Sequence, residues 1–233
     1  MRPLLDTLPA EQRRLWPELS QIPEHFVLYG GTAVGLRLGG RQSVDFDFFT
    51  NQPVSADVLS RNLAFLHGAE IIQSEPNTAT FTVDRDGPIK VSFFGGLTIG
   101  RVGQPDRCED NHVCIASLLD LAAQKMKVIL VRAEPKDYSD IYTLLKAGVT
   151  LPEALGATKA LYPEFNPVLS LKALTYYGEP SLAALPTDVR EYLTEESAKV
   201  ESIKLIPKIA SSISPSMSIR KTLTRGRGKG IGI

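Results

Sequence analysis

Long apolar runs are missing from this chain. No stretch of about 18 apolar residues occurs in its 233 residues, which excludes a membrane-spanning helix. The opening Met1-Arg2-Pro3-Leu4-Leu5-Asp6 lacks the apolar stretch of a secretory signal, so a cytoplasmic protein is expected. Cysteine is scarce as well. Its two copies, Cys108 and Cys114, flank His112, but three ligands at that spacing match no common zinc pattern. They read as two unrelated buried or free thiols. No internal repeat is present, and net charge is also absent, with 26 Lys and Arg against 26 Asp and Glu.

That neutrality conceals an asymmetry. Residues 200–233 carry seven basic residues (Lys204, Lys208, Arg220, Lys221, Arg225, Arg227 and Lys229) against the single acid Glu201, which leaves the preceding part net acidic. From Ser211 the chain is rich in Ser, Gly and Arg and closes on Arg225-Gly226-Arg227-Gly228-Lys229-Gly230, so residues 211–233 are expected to form a flexible basic tail. Such a tail suits phosphate contacts with RNA or another polyanion. A merely solubilising tail fits the composition equally well.

The richest segment runs from Gly30 to Asp47. His25-Phe26-Val27-Leu28-Tyr29 reads as a strand, and Gly30-Gly31 directly after it lets the backbone approach a phosphate while opening a helix N-terminus. Thr32 is the expected cap of that helix, and Gly39-Gly40 stops it. In the returning strand Ser43-Val44-Asp45-Phe46-Asp47-Phe48-Phe49, alternation places Asp45 and Asp47 on one face and Phe46 and Phe48 on the other. Two carboxylates so close are costly without a cation between them, and hard oxygen ligands of this kind suit magnesium, which takes a few carboxylates plus substrate phosphates. Glycine turn and acidic pair together imply metal-assisted phosphoryl or nucleotidyl transfer.

Gly-Gly-Thr followed after about a dozen residues by Ser-x-Asp-x-Asp resembles the signature of the nucleotidyltransferase superfamily, in the variant of the AbiEii/AbiGii abortive-infection toxins. Arg41 to Asp47 matches that variant especially well. The resemblance implies an α+β fold, a polymerase-β-like nucleotidyltransferase core of small mixed sheet and helices, with a C-terminal helical subdomain. It also implies Mg2+ and an NTP substrate, with Asp45 and Asp47 as metal ligands and Gly30, Gly31, Thr32 and Ser43 beside the nucleotide. Relatives of the toxin type modify RNA, notably tRNA ends, so RNA is an implied acceptor and a separate antitoxin an implied partner.

Further along, helix candidates span Ala10 to Leu19 and residues 56–67, and Thr78–Val83 and Ile89–Phe94 form a hairpin around Asp84-Arg85-Asp86-Gly87-Pro88. Many superfamily members carry a third carboxylate on the second hairpin strand. Here the corresponding position is Ser92, a poor general base.

Ile115 to Arg132 reads as one long helix whose apolar face, from Leu118 to Ile129, carries Lys125 in its middle. A lysine there requires a nearby anion unless its stem snorkels to water. The next helix, Pro135 to Ala147, supplies Asp137 and Asp140. By residue chemistry alone the set is a structural ion pair or a functional one. The resemblance adds that Lys136-Asp137-Tyr138-Ser139-Asp140 matches a family segment, which implies that Lys125 binds nucleotide phosphates and that Asp137 or Asp140 orients it or assists acid-base chemistry. Residues 150–210 read as helices punctuated by prolines, near Ala154–Leu161, Val168–Tyr177 and Asp188–Ile209. The expected division is a core at 1–110, a helical subdomain at 111–210 and the tail. The expected function is Mg-dependent transfer of NMP from an NTP to an acceptor hydroxyl; an inactive binding protein on the same fold, or a nucleotidyltransferase acting on small molecules, are the alternatives.

Overall fold

The computed structural model describes residues 1–215. The first helix, α1 (Ala10–Leu15), is shorter than its apolar pattern and continues as a 3-10 turn over Trp16–Gln21. Pro17 has no amide hydrogen to extend an α-helical ladder, which accounts for the change of pitch. β1 (Val27–Tyr29) then runs directly into α2 (Gly30–Leu38), and β2 (Asp45–Phe49) returns antiparallel to β1 with Tyr29 opposite Asp47. α3 (Ala56–Asn62) ends earlier than expected, with a single 3-10 turn over Ala64–Leu66 in place of its last turn.

The expected hairpin is β4 (Thr78–Asp84) with β5 (Pro88–Phe94), and a further strand, β3 (Glu70–Glu75), precedes it. All six residues of β3 are exposed, so it has no buried face to mark it in the sequence. Two short strands, β6 (Asp106–Arg107) and β7 (Cys114–Ile115), complete a seven-stranded mixed sheet in the order β3-β4-β5-β2-β1-β7-β6. β2 runs parallel to β5, and β1 parallel to β7. Ile115, read above as the start of a helix, belongs instead to β7; α4 (Leu118–Val128) begins after Ser117, whose hydroxyl accepts from the Asp120 amide as its cap.

Phe46 and Phe48 turn from β2 into the core, where Phe46 stacks on Trp16 (6.2 Å between centroids) and Phe48 on Phe93 (5.5 Å). Full burial of each such ring contributes about 1.5–3 kcal/mol, which fixes the register that leaves Asp45 and Asp47 on the opposite face. α5 (Pro135–Lys146), α6 (Leu151–Leu161), α7 (Pro167–Thr175) and α8 (Thr187–Ala198) follow. The helix expected to reach Ile209 stops at Ala198. Beyond it the chain crosses α6 so closely that a Cβ at Gly156 would collide with the Lys204 carbonyl. The boundary read at 110/111 falls between β6 and β7 of one sheet, and one cluster of buried side chains extends from Leu8 to Ile213.

The first residues of the segment expected to be a tail belong to the fold. Ser211–Pro215 pack onto the body: Ile213 and Ser214 are buried, and the Arg101 guanidinium donates to the carbonyls of Ser212 and Ser214. The remainder of the basic tail, 216–233, lies outside the described residues. Cys108 and Cys114 are free and buried, with burial pushing the Cys108 thiol up to about 12, while His112 is exposed. No helix of the described residues is long and apolar enough to cross a membrane.

Candidate active site

Asp45 and Asp47 line a cavity of about 580 Å3 whose floor is β2 and β5 and whose wall includes α4. The parallel register sets Lys90 beside Asp45 and Ser92 beside Asp47. Lys90 Nζ stands 3.9 Å from Oδ2 of Asp45, and both side chains are partly open to solvent. Asp47 is more enclosed. Burial pushes its carboxyl above the ordinary aspartate value and the Asp45 charge pushes it further, while Lys90, Lys125 and Arg132 offset only part of the rise. Among the described residues no group of three or more His, Cys, Asp or Glu is placed to hold a metal ion. The two carboxylates are thus the acidic ligands this end of the cavity offers.

Beside Asp47 lies the N-terminus of α2, where Gly30 and Gly31 line the cavity. Gly30 has φ +77°, a backbone region that L side chains rarely adopt. At Gly31 an added Cβ would meet the Arg41 guanidinium and fall 3.0 Å from Ser43 Oγ. Ser43 accordingly sits at the glycine turn. Thr32 does not cap the helix, since α2 already begins at Gly30 with Tyr29 as its cap residue. Its buried hydroxyl donates to the Asp45 carbonyl at 2.5 Å, tying α2 to the start of β2 instead of facing the cavity.

Lys125 reaches the cavity wall and is buried. Its ammonium pairs with Asp137 Oδ1 and Asp140 Oδ2, both at 2.7 Å, so the two candidate aspartates are both its partners. Each aspartate has a second cation. Arg41 makes a two-pronged contact with Asp140 at 2.8 and 2.7 Å, and Arg132 Nε donates to Asp137 at 3.0 Å. Burial alone would raise the Asp137 carboxyl; Lys125 and Arg132 outweigh it and hold it below the ordinary value. The resulting row Arg41–Asp140–Lys125–Asp137–Arg132 alternates in sign and joins the β2 approach to α4 and α5.

A family model described as "Nucleotidyl transferase AbiEii toxin, Type IV TA system" matches residues 14–199. The chain belongs to the AbiEii family of nucleotidyltransferase toxins. An AbiEii assignment agrees with the fold of two solved structures. The nucleotidyltransferase toxin MenT4 (Rv2826c) of Mycobacterium tuberculosis H37Rv superposes with a TM-score of 0.59 at 13% identity, covering 82% of each chain. A candidate nucleotidyltransferase of H. pylori gives 0.51 at 18% identity, covering 80% of this chain and 88% of its own. In sequence, the uncharacterized protein aq_aa25 of Aquifex aeolicus strain VF5 is 31% identical over 193 residues, which is 81% of this chain and 91% of that protein.

In this AbiEii chain the cavity also gathers residues that the sequence reading did not single out: Lys90, Phe49, Phe94 and Gln124, and Arg41 as the partner of Asp140. A signal existed for Arg41, which stands in the segment matching the toxin variant. Lys90 and Phe94 join the site through the pairing of β2 with β5, and a parallel pairing between strands so far apart leaves no local mark.

Proposed function

We propose that the chain transfers a nucleoside monophosphate from an NTP to an acceptor hydroxyl, with RNA, and tRNA ends in particular, as the acceptor. One observation carries this reading: two carboxylates from one face of β2 stand beside a glycine-opened helix N-terminus in a cavity edged by cations. Asp45 and Asp47 would hold Mg2+, since two hard, like-charged ligands fit a divalent ion that completes its shell with phosphate oxygens. When bound, the ion supplies charge neutralisation to the triphosphate and activates the attacking oxygen. Gly30 and Gly31 present the positive end of α2 to the phosphates, with Ser43 adding a hydroxyl. Lys125, Arg41 and Arg132 face the charge that develops on the leaving pyrophosphate, and Asp137 and Asp140 hold Lys125 in position.

Ser92, at the place beside Asp47, supplies no third carboxylate, which is the feature that favours a binding protein without turnover. Incubation with each labelled NTP, magnesium and total tRNA separates the readings. Transfer of label to RNA by the wild-type chain and not by Asp47→Asn supports the enzyme; RNA binding without magnesium or label transfer supports the binding protein. The family description also supports a separate antitoxin that neutralises the activity. Co-expression with a neighbouring open reading frame, scored by relief of growth arrest, tests that partner.

A further inference from the structure

Seven of the chain's nine phenylalanines are buried; the two left partly exposed, Phe49 and Phe94, lie side by side on the cavity floor with ring centroids 5.0 Å apart. Exposing two large rings in a concave site costs apolar burial that their neighbours in the same strands obtain.

The floor is graded along the strands. Asp45 and Lys90 form the first row, Asp47, Ser92, Thr80 and Gln73 the second, and Phe49 with Phe94 the third. Side chains on one face of a strand repeat every second residue, so successive rows lie roughly 6.7 Å apart. A charged end that runs from Asp45 and Lys90 to Asp47, neutral polar groups beside Asp47 and an aromatic end match in order a metal-bound phosphate, a sugar and a base. Gln124 lines the same cavity from α4, and its buried Oε1 has no hydrogen-bond partner. That oxygen has no partner in the protein, and a carboxamide is the kind of group that reads a base edge.

We infer that Phe49 and Phe94 form a nucleobase subsite, with Gln124 lining the same cavity. This rests on the transferase reading above. The base belongs either to the incoming NTP or to the end of the acceptor, and the two sources separate by experiment.

With the full chain and magnesium, the dissociation constants of ATP, GTP, CTP, UTP and inorganic tripolyphosphate are measured for wild type, Phe94→Ala and the milder Phe94→Leu, with thermal melts as the check of folding. Loss of one stacked base weakens binding roughly 5- to 150-fold. If the NTP base is the occupant, Phe94→Ala loses that factor for the preferred NTP, Phe94→Leu loses a smaller one, and tripolyphosphate binding stays put. If the acceptor base is the occupant, NTP affinities hold, and the variant loses affinity for RNA ending in an intact nucleoside but not for RNA with an abasic end. Equal losses for NTP and tripolyphosphate, or no loss in either arm, overturn the subsite. The transferase reading fails separately, by absence of label transfer from a wild-type chain that still distinguishes NTP from tripolyphosphate.

Discussion

A side chain at Gly30 has no room: the Cβ it would add falls 2.8 Å from Oδ2 of Asp47. The glycine also holds φ +77°, so two independent constraints act on one residue. Gly30→Ala is expected to lower stability by about 1–2 kcal/mol through the backbone alone and to displace the Asp47 carboxylate. Chemical denaturation checks the first effect and label transfer the second. A variant as stable and active as wild type would show that neither constraint matters.

Asp47 and Asp137 respond to pH in opposite directions. Burial and Asp45 raise Asp47, so the folded state binds its proton more tightly than the unfolded state does. The metal-free chain therefore loses stability as pH rises through the raised Asp47 value, and at neutral pH Asp47→Asn is expected to melt higher than wild type without magnesium. The same substitution removes a charged ligand. Transfer should fall by more than the roughly 10–100-fold that loss of an outer-shell partner costs a metal site. Melts across pH with and without magnesium, beside activity, test both halves.

Lys125 sits between two buried aspartates, and that placement sets its mutational cost. Lys125→Met leaves Asp137 and Asp140 each with one arginine, and is expected to destabilise by about 3 kcal/mol or more. Because Asp137 is held below its ordinary value, its contribution is complete above the ordinary aspartate range and is lost as pH falls through the lowered value. In Lys125→Met that acid-side loss should begin at higher pH. Acid titration of folding for both proteins gives the comparison, and superimposable curves would remove the ion pair from the account of stability.

The glycine turn, α2 and the acidic strand were legible because each follows a local rule: alternation for Asp45 and Asp47, and a positive-φ residue where a strand turns into a helix. Lys125 was legible as a charge on an apolar face. Its partners were narrowed to Asp137 and Asp140 but not to both, because the second contact depends on how α4 and α5 cross. β3 was missed for want of a buried face, and β6 and β7 because two residues carry no period. The aromatic end of the cavity escaped notice for a different reason. Alternation already puts Phe49 on the face of Asp45 and Asp47, but only the register of β2 against β5 brings Phe94 beside it on the cavity floor.

The basic tail should be tested by a chain ending at Pro215, not at Ser211. Ending at Ser211 would strip Ile213 from the core and remove the Ser212 and Ser214 carbonyls that Arg101 engages, confusing lost stability with lost RNA contact. Ending at Pro215 removes Arg220, Lys221, Arg225, Arg227 and Lys229 and leaves the described fold complete. If these cations meet RNA phosphates, each lost contact should reduce the slope of log K against log salt by about 0.7–0.9. NTP affinity should not change, since the cavity at Gly30, Asp45 and Asp47 is intact. Acceptor affinity measured at several salt concentrations for both chains decides the point. Identical slopes would place the whole of acceptor recognition on the folded body.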